Sequence, residues 1–205
     1  MIQNIYCIGR NYVLHAKELN NSVPAKPLVF SKPTHSLAAA VGDPIKLPKG
    51  KGEIHYETEL VLKVGRAYEK GLSVDELIDE MTIGIDFTLR DVQTVLKQQG
   101  HPWLLAKGFP NAALLGRFIP FPGLAKCKQQ SFTLLKNREQ VQKGNIQNLI
   151  FDLQYIIDYV AEHFGISKGD IIFTGTPEGV GPVYHKDYLQ LMWGDTVLGE
   201  SEIHI

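Results

Sequence analysis

The sequence predicts an α+β fold, mainly β, on three observations. Short apolar runs recur along the chain, bounded by its 19 glycines and 11 prolines, as turns between many short strands require. Few stretches repeat at the three- and four-residue spacing of a helix. Strands and helices do not alternate in the manner of a parallel βαβ sheet. At 205 residues, 44% apolar and 21% charged, the chain reads as one domain, 1–205, with no repeat or low-complexity linker to divide it. A chain of this length buries roughly 70% of its unfolded surface, so its core needs no disulfide or metal. Any metal it binds then serves chemistry.

Residues 5–8 form a short apolar strand stopped by Gly9, and Asn11 is placed to cap a helix over 12–19. Residues 27–32 and 44–48 are short strands between Pro or Gly stops. A longer strand, or two joined by a bend, covers 53–65. Ser73 ahead of Asp75 and Glu76 marks a short helix over 73–81 with an acidic first turn, and 82–89 returns to strand. Thr88 and Asp91 have capping-box spacing and open a helix that runs to Gly100. Between Asn148 as cap and Gly165 as stop, Leu149, Phe151, Leu153, Ile156, Ile157, Val160, Ala161 and Phe164 recur at helical spacing. That helix should lie on a sheet. Residues 170–174 and 195–205 are late strands separated by a Gly/Pro-rich loop.

With 21 Lys+Arg against 22 Asp+Glu, a formal net charge of -1 and no run of like charges, neither nucleic acid nor an anionic membrane is an expected partner. No apolar stretch approaches the roughly 18–20 residues of a membrane helix. The first residues lack a basic n-region and pass straight into a strand, which predicts no signal peptide and a cytoplasmic protein. Cys7 and Cys127 form no CxxC pair and read as reduced thiols.

Several groups of residues could carry chemistry. Glu57 and Glu59 are alternate residues of a predicted strand, so they share a face about 6.6 Å apart along the backbone, where both can lean onto one cation. Leu60, Val61, Leu62 and Val64 predict a buried strand, and two like charges beside a core are costly unless something positive sits between them. A solvated acidic face is the more ordinary source of that spacing. Asp86 interrupts strand 82–87, where propensity disfavours it. On a neighbouring strand it would complete an all-oxygen site for a hard cation, Mg²⁺ or Mn²⁺, while the lack of a Cys/His cluster at metal spacing disfavours zinc. A surface or turn aspartate explains it equally well.

His15 and Glu18 stand three apart on the first helix, along the edge of the inward stripe made by Tyr12, Ala16 and Leu19. A carboxylate there can fix the imidazole tautomer and raise its basicity, giving a base able to take a proton from water; an exposed ion pair has the same spacing. Arg90 and Gln93 share a helix face. An arginine in a first turn opposes the macrodipole and needs an anion, either Asp91 or a bound carboxylate. Lys107 is a lone cation among apolar neighbours, suited to an oxyanion or to snorkelling outward. The loop 174–182 offers hydroxyls and backbone N–H groups but matches no phosphate-loop or dinucleotide fingerprint.

Taken in order, these segments resemble the fumarylacetoacetate hydrolase family. The matching stretches are Gly9-Arg10-Asn11-Tyr12 with His15 and Glu18, Phe30-Ser31-Lys32-Pro33, His55-Tyr56-Glu57-Thr58-Glu59-Leu60, Asp86 through Gln93, Ala106-Lys107, Gly169-Asp170-Ile171-Ile172, Thr174-Gly175-Thr176-Pro177 and Gly194-Asp195. Pro102-Trp103 to Lys107-Gly108-Phe109 looks most like the small acylpyruvase and oxaloacetate decarboxylase branch. The resemblance implies a mixed β-sandwich roll with few helices, usually a homodimer, with Mg²⁺ or Mn²⁺ held by Glu57, Glu59 and Asp86. It also implies a water-activating dyad of His15 and Glu18, polarisation of substrate by Lys107, and substrate held by Arg90, Gln93 and Thr176. Phe109-Pro110-Asn111 and Leu115-Gly116-Arg117 stand where many members carry an Asp and then a Gly-Pro, and Ile85 stands where many have Asn, which loosens the substrate more than the metal site.

The implied activity is cleavage of a C–C bond in a small 2-oxo acid: acylpyruvate hydrolysis, oxaloacetate decarboxylation, or both, through a shared enolate. Tautomerisation or isomerisation of 2-oxo diacids, with His15 only moving a proton, is the alternative within catalysis. A non-catalytic scaffold would have lost Glu57, Glu59, Asp86 or His15, and all are present.

Overall fold

The computed structural model describes residues 1–18 and 22–205. The chain opens with β1 (Ile5–Gly9), α1 (Val13–Glu18), β2 (Leu28–Ser31), β3 (Leu37–Ala39), β4 (Ile45–Lys46), β5 (Ile54–Tyr56) and β6 (Thr58–Val64). It continues through α2 (Val74–Leu77), β7 (Ile78–Asp86), β8 (Thr88–Leu89), α3 (Arg90–Gln99), α4 (Leu104–Lys107), β9 (Ala113–Leu115), β10 (Ile119–Pro120) and α5 (Leu124–Gln129). It closes with β11 (Phe132–Lys136), β12 (Glu139–Gly144), α6 (Leu153–Phe164), β13 (Ile171–Phe173), β14 (Gly181–Pro182), β15 (Tyr188–Trp193) and β16 (Thr196–His204). The mainly β character expected from the punctuated apolar runs is the observed one.

Among the described residues the strands form three sheets. The largest has the order β2-β1-β13-β6-β7-β9-β3, with β10 also on β7; the second runs β12-β11-β15-β16-β4, and the third β14-β5-β8. In the large sheet β1 runs parallel to β13, and β13 antiparallel to β6, which is antiparallel to β7. The C-terminal ends of β1, β13 and β7 and the start of β6 therefore lie at one end of the sheet. Both faces are packed: Leu60, Leu62 and Val64 of β6 enter the main core, while Val61 joins Ile5, Cys7, Ile171 and Phe173 on the other side. A strand buried on both faces reads as a continuous apolar run, as 60–62 does.

Local chemistry moved several expected boundaries. Asn11 does not cap α1; its amide donates to Phe151 O and Thr174 O, and its Oδ1 accepts the Phe151 N–H. Leu19, expected on the inward stripe, lies outside the described residues. Ser73 and Glu76 form a capping box, but α2 stops at Leu77 because Ile78 already belongs to β7. The cap of α3 is Leu89, not Thr88, whose hydroxyl turns to Asp86 O and Lys107 instead. Gly100, at φ 68, ends α3 as expected. In 148–165 the helix begins only at Leu153, capped by the Asp152 side chain on the Tyr155 N–H. Asn148 closes a short 3₁₀ turn before it. No helix among the described residues is long and apolar enough to cross a membrane, and both cysteines are buried free thiols.

Candidate active site

The site forms where those strand ends converge. Of the two expectations for 53–65, two strands joined by a bend is the observed one, with Glu57 in the bend between β5 and β6 and Glu59 inside β6. The two acids are therefore not alternate residues of one regular strand. The bend turns Glu57 inward, and Asp86, at the end of β7, is tied beside it by its N–H on Glu57 O (2.8 Å). The three carboxylates are buried, and one oxygen of each lies within 4.8 Å of the others.

Three cations surround them. Lys107, the last residue of α4, is 2% exposed and does not snorkel; its Nζ donates to Glu57 Oε2 (2.8 Å), Asp86 Oδ2 (2.5 Å) and Thr88 Oγ1 (2.6 Å). Arg90 finds its anion in Glu57, with Nη2 2.6 Å from Oε1, and its Nη1 donates to Gln93 Oε1 (2.7 Å). Asp91 instead accepts the Glu53 N–H. Lys32 stands behind the cluster: its Nζ lies 2.6 Å from Asp86 Oδ1 and donates to the carbonyls of Lys107 and Phe87.

Burial works against every charge here, and the neighbours decide the outcome. For Glu57, burial alone would raise the pKa, but Lys107, Arg90 and His15 hold it well below the usual carboxylate range. Glu59 goes the other way, pushed well up by burial and then by the Asp86 charge, which the Gly175 N–H only partly offsets. Lys107, which burial would lower, is held above its ordinary value by Asp86 and Glu57.

A divalent cation fits this donor set. Asp86 Oδ1 is buried and accepts no hydrogen bond among the described residues, the nearby Lys32 standing out of line. No ion pair reaches Glu59 among the described residues, and its Oε2 takes only the Gly175 N–H, at 2.6 Å. Three hard oxygen donors, one of them a carboxyl strained by like charge, suit Mg²⁺ or Mn²⁺ better than a soft metal. Gly175 is needed for the close approach: its φ is 103, and a Cβ there would stand 2.6 Å from Asn11 Cβ.

His15, 5% exposed, lines the same cavity as the three acids, Arg90, Gln93, Lys107 and Thr176. Burial lowers its pKa, against the pull of Glu57 and Glu18, so the ring is neutral near pH 7. Its Nδ1 is 3.5 Å from Glu18 Oε2, too long for a formed hydrogen bond. Glu18 stands outside the cavity lining and accepts the Gly179 N–H at 3.0 and 3.2 Å. Thr176 is fixed from two sides, donating to Thr58 O (2.9 Å) and accepting from Gln142 Nε2 (2.9 Å).

Of the nine residues singled out in the sequence, all but Glu18 thus meet in one cavity. Lys32, Gln142 and His55 were not singled out. Gln142 anchors Thr176 and also accepts the Thr58 N–H, and His55 Nδ1 accepts from Arg90 Nε (3.4 Å). Lys32, a lysine between an apolar strand and Pro33, offered the same weak signal as Lys107. Gln142 sits in a polar strand with none.

A curled, mainly β scaffold that gathers three buried carboxylates, a neutral histidine and several cations at one sheet end is the layout of an enzyme site. Residues 4–203 match the fumarylacetoacetate (FAA) hydrolase C-terminal family, and the chain belongs to that enzyme family. It is 36% identical to the mitochondrial oxaloacetate tautomerase of Bos taurus over 191 residues, 92% of this chain and 86% of that protein. It is 35% identical to the mitochondrial oxaloacetate decarboxylase of Dictyostelium discoideum over 186 residues, 88% of this chain and 84% of that one. The fold superimposes on fumarylpyruvate hydrolase from Pseudomonas aeruginosa in complex with Mn²⁺ and pyruvate, with TM-score 0.90 and 27% identity, covering 100% of this chain and 90% of the other.

Proposed function

We propose that the protein is a divalent-cation-dependent enzyme of enolate chemistry on a small 2-oxo acid, with oxaloacetate as substrate and keto–enol interconversion and decarboxylation as reactions. The observation that carries this reading is the single cavity in which Glu57, Glu59 and Asp86 face Lys107, Arg90, Gln93 and a neutral His15. The names of the Bos taurus and Dictyostelium relatives support the substrate. Glu57, Glu59 and Asp86 would hold Mg²⁺ or Mn²⁺, which when bound supplies Lewis-acid polarisation of a 2-oxo carboxylate.

The chain's own groups do the rest. Arg90 and Gln93, already joined, present a planar donor edge to the substrate carboxylate. Thr176, its oxygen held by Gln142, would turn its hydroxyl proton from Thr58 O to the substrate. The Lys107 ammonium neutralises charge that develops on the enolate oxygen. With Nδ1 turned toward Glu18, His15 Nε2 is the atom that takes the C3 proton and returns it. In decarboxylation the departing CO₂ leaves the enolate of pyruvate, whose negative oxygen Lys107 neutralises in the same way before C3 takes up a proton, and no attacking water is required.

A second reading, acylpyruvate hydrolysis, is favoured by the Glu18 carboxylate beside His15 Nδ1: a small closing movement would make the imidazole a base for water. The same proposal covers a homodimer working in the cytoplasm on a small molecule, with no nucleic-acid or membrane partner. Steady-state assays with Mg²⁺ on enol oxaloacetate, keto oxaloacetate, an acylpyruvate and an unsaturated 2-oxo diacid test it. Turnover of oxaloacetate is expected; turnover of the unsaturated diacid alone would overturn the substrate. If the second reading holds, His15→Ala abolishes acylpyruvate hydrolysis but affects decarboxylation less, and equal loss would overturn water activation.

A further inference from the structure

Arg90 is held from three directions. Its Nη2 donates to Glu57 Oε1 (2.6 Å), its Nη1 to Gln93 Oε1 (2.7 Å) and its Nε to His55 Nδ1 (3.4 Å). An arginine beside a carboxylate ordinarily turns two N–H groups onto it as a fork. Here Glu57 receives one, because Gln93 and His55 hold the other two nitrogens. A guanidinium carries five N–H groups. One on each terminal nitrogen is therefore left without an acceptor among the described residues, and a bound carboxylate can take that pair.

The hold on Nε comes from outside the helix that carries Arg90. His55 lies in β5, opposite Thr88 of β8, and the Glu53 carbonyl two residues before it accepts the Arg90 N–H at 2.8 Å. One short stretch of chain thus fixes both the backbone of Arg90 and the root of its guanidinium. Arginine Nε can only donate, so His55 Nδ1 keeps its lone pair and the ring proton sits on Nε2. That nitrogen faces Glu53 Oε2 at 3.1 Å, which holds the ring in this tautomer. The His55 and Glu53 side chains are 15% and 59% exposed, so the linked groups run from the surface through His55 and Arg90 to the buried Glu57. His55 is not among the residues lining the cavity, and any effect it has on a ligand passes through Arg90. We propose that His55 is a positioning residue, which keeps the Arg90 guanidinium from closing as a fork on Glu57 and leaves its terminal N–H pair aimed at the substrate carboxylate. This rests on the reading of Arg90 as the group that binds that carboxylate.

His55→Leu removes the acceptor, whereas His55→Asn restores one, with the amide oxygen near the place of Nδ1. In steady-state assays on oxaloacetate with Mn²⁺, His55→Leu should raise KM about tenfold while kcat changes less than about twofold. His55→Asn should bring KM back to within about threefold of the unaltered protein. His55→Ala takes the place of the leucine variant if circular dichroism shows that one unfolded. Arg90→Met should also raise KM, and adding His55→Leu to it should raise KM no further, since His55 acts only through Arg90. Multiplying effects in the double variant, no rescue by asparagine, or an unchanged KM in His55→Leu beside a raised one in Arg90→Met would overturn the positioning role. An unchanged KM in Arg90→Met would overturn the reading of Arg90 itself, a distinct result.

Discussion

Replacing Lys107 by methionine keeps the length of the side chain and removes the charge that joins Glu57 to Asp86. Nζ makes three contacts of 2.5–2.8 Å, with Glu57, Asp86 and Thr88, and the Glu57 and Asp86 side chains are 8% and 1% exposed. Breaking a buried pair of this kind costs about 3–5 kcal/mol, because two buried carboxylates are then left with only Arg90 and Lys32 to offset their charge. For a chain of this size each kcal/mol moves Tm by roughly 2–4 °C, so a fall of about 10 °C is expected in EDTA. A divalent cation then has two carboxylates freed of a competing charge. At a hundredfold excess over Kd, Mn²⁺ stabilises by about 2.7 kcal/mol, and Kd should be lower for the variant. Urea unfolding followed by circular dichroism, in EDTA and in MnCl₂, reads both effects. A loss under 1 kcal/mol in EDTA, or equal gains from Mn²⁺ in both proteins, would refute the reasoning.

Three other outcomes follow from the same geometry. Burial lowers the His15 pKa against the opposing charges of Glu57 and Glu18, so the folded protein favours the neutral base; activity should rise with pH with its midpoint below about 6.5, the ordinary imidazole value. A pH–rate profile whose acid limb lies above pH 7 would contradict it. Gln142→Leu leaves the Thr58 N–H without its acceptor and Thr176 without its donor, which should cost about 1–3 kcal/mol of stability and raise KM more than it lowers kcat. Burial, followed by Asp75, pushes the Cys127 thiol up to about 12, and burial, followed by Asp86, raises Cys7 well above its usual value. Both thiols should resist an aromatic disulfide reagent at pH 8 and react only after unfolding; fast labelling of the native protein would contradict this burial.

How much of this was legible in the sequence depended on how local each signal was. Punctuation by glycine and proline placed the short strands, because turn geometry is decided within a few residues. Caps were less legible. Asn11 and Thr88 have cap chemistry, yet each spends its side chain on a residue distant in sequence or across the site, Asn11 on 151 and 174, and Thr88 on Lys107. Spacing pointed to Glu57 and Glu59 as a pair, and a bend within 53–65 was one of two readings, but that β5 leaves there for another sheet and Glu57 turns toward Asp86 is decided by partners distant in sequence. The reach of Arg90 to Glu57 was legible only as a need for some anion. Lys107 and Lys32 showed the limit most clearly: a lysine in an apolar run looks the same whether it snorkels or enters a carboxylate cluster, and only the tertiary fold decides.

Calorimetric titration with Mn²⁺ tests whether Glu57, Glu59 and Asp86 form one divalent-cation site. One ion per chain is expected, with affinity reduced at least a hundredfold in Asp86→Asn and in Glu59→Gln while both variants keep their circular dichroism spectrum. Unchanged Mn²⁺ binding in those two folded variants would contradict it.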